Sequence, residues 1–425
     1  MLFLYQIGLF FFALAYLPFF FLKKKHGPGW PSRFGWVPDG VSRSLGGGPV
    51  YWIHAVSVGE MALAVRLAAE LKAKRPGSRV LLTATTVTGS AVARRLKSAD
   101  DEFLFFPIDF TFCVRRFVAA IKPKALILME TEIWPSLLEE LGRRNVPVFI
   151  ANARISDRAW KRYRRFRSFF GRYLRYVKVI AAQDAQMAER FVAMGAEPQA
   201  VRVAGNMKFD WRPKPGSESE VEPLRSKLAR PKDFLFIAGS THEGEEEIFF
   251  RAFKAIRRLH PEFRMVVAPR HPERFASIEK KAVQESVSIK KVSQMTSSGY
   301  DGDAERIAVL DVMGVLGPLY RLADTVFIGG SFVPQGGHNP VEPAFFGKAV
   351  LFGPSMHNFR EMAAQLTQSG AAIAVSDASC LEKTILQLID DRERRRKLGE
   401  AAQALVRAHE GATARAAQWV VEAAG

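Results

Sequence analysis

Cysteine is nearly absent from this 425-residue chain: Cys113 and Cys380 stand far apart, without metal-ligand spacing. Both read as buried thiols in a reducing compartment. Histidine is scarce too, and His54, His242, His271, His338 and His357 fall in five separate turns with no H-E-x-x-H, so no metal site is expected. No G-x-G-x-x-G follows a first strand, which weakens a dinucleotide-binding reading. Acidic residues are outnumbered 43 to 61, leaving a net charge of +18 and a pI near 10.0. Such a balance calls for an anionic partner: nucleic acid, a membrane surface or a phosphorylated substrate. The apolar share of 48% excludes a disordered chain, and the length suits two domains with separate cores.

One long apolar run is present. Leu2 to Leu22 is broken only by Gln6 and is followed at once by Lys23, Lys24, Lys25 and His26. Its length matches a bilayer core of roughly 30 Å. The positive charge comes after the run and no small-residue cleavage site is evident, unlike a secretory signal. Residues 1–25 are therefore expected to be a retained single-pass anchor with the rest of the chain on the cytoplasmic side. A buried core helix is the competing reading.

From Val50 onward short apolar strands alternate with amphipathic helices, the pattern of parallel sheets covered on both faces. Strands are expected near residues 50–55, 79–83, 103–106, 125–129, 148–151, 179–182 and 201–204. After a stretch holding Pro213, Pro215, Pro223 and Pro231 they resume near 234–238, 265–268, 308–310, 325–328, 349–352 and 372–375. We place an N-terminal domain at 26–210, a linker at 211–232 and a C-terminal domain at 233–425, the last closed by helices near 392–408 and 413–423. Ligands in such α/β sheets bind at the carboxyl ends of strands, so a cleft between two facing halves is the expected active site.

One stretch departs from the pattern. Arg154 to Lys178 holds ten Lys or Arg against one Asp, with Trp160, Tyr163, Phe166, Phe170 and Tyr173 every three or four residues. Read as one helix, it suits an interfacial membrane segment, a nucleic-acid surface, or an amphipathic core helix with a solvated basic face. The anchor favours contact with anionic lipid headgroups or a phosphorylated lipid substrate.

The richest stretch is Val326 to Glu361. A buried strand runs into Gly329-Gly330-Ser331, where a ligand can approach the backbone, and a second pair, Gly336-Gly337, leads to His338-Asn339-Pro340. Asn339 suits an N-cap and Pro340 the first helical position, outlining an anion site, with Glu342 able to accept from a ribose diol. An ordinary βαβ unit with glycine turns is the alternative. Elsewhere, Glu60 in SVGE and Glu130 in ETEIWP sit at strand ends, each a candidate for proton transfer or charge stabilisation. On position alone, Glu60 reads first as a residue that favours the helix N-terminus electrostatically. Lys208 in GNMKFD can neutralise a phosphate or carboxylate, or be a surface lysine. The turn Ser240-Thr241 can meet an anion, and Arg270, beside His271 in PRHPER, can grip a phosphate.

The ordered set SVGE, ETEIWP, GNMKFD, AGSTHEGEE, PRHPER and GGSFVPQGGHNPVEPA, behind one N-terminal apolar segment, resembles the 3-deoxy-D-manno-octulosonic acid (Kdo) transferases of lipopolysaccharide assembly. The resemblance implies an α/β fold of the GT-B glycosyltransferase class, two Rossmann-like domains facing a cleft, with an N-terminal transmembrane helix at the inner membrane. It implies inverting transfer of Kdo from CMP-Kdo to a lipid A precursor, without metal or cofactor and with no nucleic acid as partner. By the same resemblance Glu60 is the general base, and Glu130 and Lys208 stabilise the transition state. Pro269, Arg270, Met313, Gly314, Val315, Asn339, Pro340, Val341 and Glu342 hold CMP. The family usually has an acidic residue where this chain has Val315, which leaves any side-chain role there in doubt.

Overall fold

The computed structural model describes residues 2–22, 29–213, 216–295 and 306–425. Its chain divides into two compact units: residues 1–210 together with 409–425, and residues 211–408. The basic cluster Lys23 to His26 lies outside the described residues, as do Lys214 and Pro215 of the expected linker.

The first unit is built on a seven-stranded parallel sheet: β1 (Val50–His54), β2 (Arg79–Ala84), β3 (Glu102–Phe105), β4 (Ala125–Met129), β5 (Val148–Ala153), β6 (Val177–Ala182) and β7 (Val201–Val203), in the order β3-β2-β1-β4-β5-β6-β7. Its central strands are continuous apolar runs buried on both faces, as parallel strands under two helical layers must be. The second unit repeats the plan with β8 (Phe234–Thr241), β9 (Phe263–Pro269), β10 (Ser288–Lys291), β11 (Arg306–Val309), β12 (Thr325–Ile328), β13 (Ala349–Phe352) and β14 (Ala372–Ala374), ordered β10-β11-β9-β8-β12-β13-β14. Each strand read from the sequence is present. The one missed is β10, whose Ser-Ile-Lys-Lys sits at the sheet edge and needs no apolar run.

Four expectations change. The final helix, Ala412–Ala424, belongs to the first unit, not to the C-terminal domain: Ala412, Ala416, Ala417, Val420 and Ala424 join its core. Asp210 holds it there, accepting from Gly411 N at 2.7 Å and Thr413 N at 2.6 Å. Within 211–232, Ser217–Leu228 forms a helix of the second unit. The basic stretch 154–178 is two helices, Asp157–Arg165 and Arg167–Leu174, broken at Phe166, and its last residues already enter β6. Trp160, Tyr163, Phe170 and Tyr173 pack against the core, leaving Phe166 exposed among the arginines. Finally, Cys113 is buried but Cys380 only half so.

The apolar N-terminal run forms one helix, Leu2–Leu22. Gln6, next to Tyr5 which hydrogen-bonds the Asp109 carboxylate, fastens it to the first unit. Gln6 Nε2 donates to Asp109 O at 3.0 Å and Ser136 Oγ at 2.7 Å, and its Oε1 accepts from Thr111 N at 3.2 Å. Ile108 N bonds Arg33 O at 2.8 Å, so the chain comes back to the same stretch after the helix. Among the described residues no helix is long and apolar enough to cross a membrane.

Candidate active site

In the first unit, chemistry-bearing residues collect at the carboxyl ends of β1, β4 and β7. Ser57 caps the helix Val58–Lys74 by accepting from Glu60 N at 3.2 Å, while Glu60 Oε2 accepts from Val56 N at 2.9 Å. This resembles a capping box, with the Glu60 carboxylate taking the amide one residue before the cap, so the helix-end reading of Glu60 holds. One carboxylate oxygen is spent on Val56, and the group stays half-exposed.

Glu130 follows β4 with φ 58°, the left-handed region that a side chain rarely adopts. Its amide is tied to Ala151 O at 2.9 Å, and Thr131 Oγ1 donates to Arg154 O, so neighbours on both sides hold the turn. Strain of this kind persists only where the surroundings over-determine it. Glu130 faces two cations: Lys208 Nζ lies 3.7 Å from Oε1 and Arg154 Nη1 3.7 Å from Oε2. Lys208 reaches it because Asn206 caps the turn Met207–Phe209 and Met207 N bonds Asn152 Oδ1 at 3.0 Å. The Lys208 side chain is thus an ion-pair partner, not a free surface lysine.

Glu132 was not singled out from the sequence. Burial pushes its carboxyl up to about 7, and the charges of Glu60 and Glu130 push the same way. The structure therefore brings Glu60, Glu130, Glu132 and Lys208 together. Glu132 was visible as the second acid of ETEIWP, but no periodicity separates a carboxylate facing Glu60 from one facing water.

In the second unit, two expected anion sites are already filled from within. Glu245 is fully buried and accepts from His242 N, Gly330 N, Ser331 N and Phe332 N at 2.7 to 3.1 Å. The amides after Gly329 therefore bind an internal carboxylate, not an incoming anion. Gly329 is required for another reason: a Cβ there would collide with Ser240 O. Likewise Thr241 Oγ1 is bound to buried Glu246 Oε1 at 3.1 Å, which also takes Arg274 Nη1 at 3.1 Å.

What stays open is further along each turn. Arg270 follows β9, its amide bonded to Thr241 O at 2.9 Å and its side chain exposed. Asn339 Oδ1 accepts from Val341 N at 3.1 Å and its Nδ2 donates to Glu342 Oε1 at 3.3 Å, although the helix, Val341–Phe345, begins one residue later than expected, with Pro340 at its cap. Glu342 lies beside Gly317 and the buried Tyr320. Met313 is exposed, Gly314 has φ 85°, and half-buried Val315 stands at the cap of the short helix Leu316–Leu319. Pro269 ends β9 and is buried. Among the described residues no three His, Cys, Asp or Glu side chains are grouped to hold a metal ion.

Comparison with known proteins now decides the family. The profile described as "3-Deoxy-D-manno-octulosonic-acid transferase (kdotransferase)" matches residues 28–211. The 3-deoxy-D-manno-octulosonic acid transferase of Haemophilus influenzae is 33% identical over 370 residues, covering 86% of this chain and 84% of that protein. The chain belongs to the Kdo transferase family. The transferase of the same name from Bordetella pertussis is 32% identical, with 91% of this chain and 89% of that one covered. A glycosyltransferase structure from Rickettsia africae shares the fold alone, at a TM-score of 0.52 and 11% identity over 89% of this chain and 98% of that one. This Kdo transferase is thus a glycosyltransferase with two Rossmann-like parallel sheets in a GT-B-like fold.

Proposed function

We propose that the protein transfers Kdo from CMP-Kdo to a lipid A precursor, lipid IVA, with inversion. The first unit supplies the base and the second holds the nucleotide. Glu60 takes the proton of the acceptor hydroxyl as that oxygen bonds to the anomeric carbon of Kdo; the bond to the cytidylate phosphate breaks, and CMP leaves with the electron pair. In this reading Glu130 is assigned to the positive charge that builds on the sugar and Lys208 to the negative charge of the departing phosphate. The observation that carries the reading is the grouping of three carboxylates and one lysine at strand ends of the first sheet. In the second unit Arg270 suits the phosphate, Glu342 with Asn339 the ribose, and Met313 to Val315 and Pro269 with Val341 the remaining wall. No step is assigned to a metal or to nucleic acid.

Membrane attachment is part of the proposal, through the helix Leu2–Leu22, whose Phe3, Leu4, Phe10, Phe11, Phe12 and Leu14 are exposed. Since Gln6 and Arg33 meet the same 108–111 stretch, we place this helix along the leaflet on the side of the two units, with the arginines around Phe166 facing anionic headgroups. A reporter fused before residue 2 should then stay on the cytoplasmic side; a periplasmic reporter would mean a crossing helix.

The direct test is to incubate the detergent-solubilised protein with lipid IVA and, in parallel, CMP-Kdo, UDP-sugars and GDP-sugars, and to weigh the products. The account expects a Kdo adduct with CMP-Kdo alone. Transfer from a UDP- or GDP-sugar instead would make the protein a different nucleotide-sugar enzyme.

A further inference from the structure

His242 and His338 have no part in the scheme above, yet they form the second unit's most unusual polar contact. His242 follows β8 and His338 closes the second glycine pair after β12. Strands β9, β8 and β12 are neighbours, so these turns share a sheet end with Arg270 and His271. The two rings lie 7° from parallel with centroids 5.1 Å apart, and Nε2 stands 2.8 Å from Nε2. Two imidazole nitrogens at that distance need one hydrogen between them, so one ring carries Nε2–H and the other a bare Nε2. The loop is shaped around the pair. Gly330 has φ 68°, and a Cβ there would come within 3.2 Å of His242 Cδ2 and 3.3 Å of His338 Cδ2.

The charges around the pair are unbalanced. Arg270, His271 and Arg274 all face it. Arg274 is answered by Glu246 at 3.1 Å and His271 by Glu273 at 3.2 Å. The nearest buried carboxylate, Glu245, is used up by four amides. Arg270 has no side-chain partner among the described residues. Burial first, then positive charge on its partner His242 and on Arg270, keeps His338 down at about 4, and burial with the neighbouring side chains His271, Arg274 and Arg270 keeps His242 below its ordinary value, so the resting pair is neutral at pH 7. A cationic surround that suppresses protonation is what an arriving anion reverses.

We propose that His242 and His338 form an anion subsite beside Arg270 that takes up one proton from solvent as an anionic group of the donor docks. This rests on the donor reading above. Two groups of CMP-Kdo share the required chemistry: the carboxylate next to the anomeric carbon of a ulosonic acid, and the phosphate. We assign the carboxylate, because Arg270 already suits the phosphate. Once protonated, the pair holds an N–H on each outer nitrogen and shares the inner one, a charge-assisted donor that a neutral sugar would not engage.

The test is calorimetric titration of the full chain in detergent at pH 7, in two buffers of different ionisation enthalpy, with CMP-Kdo, CMP or free Kdo as titrant. CMP-Kdo has no group titrating near neutrality, so the proton taken up on its binding goes to the protein; the phosphate monoester of CMP titrates at about 6, and its own exchange is subtracted by titrating CMP into both histidine variants. The expected result is uptake approaching one proton with CMP-Kdo and much less with CMP, abolished in His242→Gln and in His338→Gln. Both variants should still bind CMP, which shows that they fold, and their KM for CMP-Kdo should rise about tenfold. Equal uptake with CMP would overturn the carboxylate assignment and give the pair to the phosphate. CMP-Kdo binding without uptake, or uptake unchanged in both variants, would overturn the subsite and leave the donor reading intact. Failure to bind CMP-Kdo at all would overturn both.

Discussion

The two sheets of this protein have seven parallel strands each and carry their polar residues at the same ends, yet the chemistry there is of opposite sign. The first gathers Glu60, Glu130 and Glu132 with Lys208; the second gathers Arg270 and three histidines. Each also binds its acids differently. The first raises the Glu132 carboxyl until it holds its proton near neutrality, whereas the second buries Glu245 and Glu246 beneath the turns, Glu245 on four backbone amides and Glu246 on Arg274. A shared architecture therefore fixes where a site forms and not what it does. In the proposed function the acidic end serves a base and its acceptor, and the basic end a phosphorylated donor.

That contrast can be broken from either end. Short of removing the base itself, the largest effect is expected from Lys208→Ala, which removes one of the two cations 3.7 Å from Glu130. Turnover should fall about 100-fold with donor affinity little changed, as for loss of one transition-state contact; steady-state kinetics decide. Glu245→Ala attacks the other end. Four amides lose their acceptor, and the second unit should lose about 2 kcal/mol in urea unfolding. Arg270→Ala should weaken CMP about tenfold, with a shallower salt dependence, in direct binding measurements.

Glu132→Gln is the smallest. Folded Glu132 keeps its proton to about 7, whereas an unfolded chain releases it near 4.5, so stability is highest below 4.5 and declines as pH climbs through that window. The variant should flatten this slope and gain about 1 kcal/mol at pH 8, seen as a Tm rise of roughly 2 °C.

Most of the architecture was legible because parallel strands buried on both faces must be continuous apolar runs, and their ends must be marked by turn residues. The strand Ser288–Lys291 escaped because an edge strand is excused from that demand. Residues 154–178 looked like one helix, since spacing of three or four survives a single-residue break at Phe166. The last helix could not be assigned to its unit, because an amphipathic face does not name its partner; Asp210, some two hundred residues earlier, supplies the cap. The candidate site was legible as positions and not as pairings. Glu130 and Lys208 were read separately and meet, while the glycine turn at Gly329 looked vacant because Glu245, which fills it, lies on another strand's loop.

The most direct test of the division of labour is Glu60→Gln, since the glutamine amide oxygen can still accept from Val56 N while the base is removed. The account predicts that CMP affinity stays within twofold of the parent and that Kdo transfer drops about 1,000-fold, in the range expected for loss of general base catalysis. Near-normal turnover with intact CMP binding would contradict it, and would leave Glu60 with its helix-end role alone.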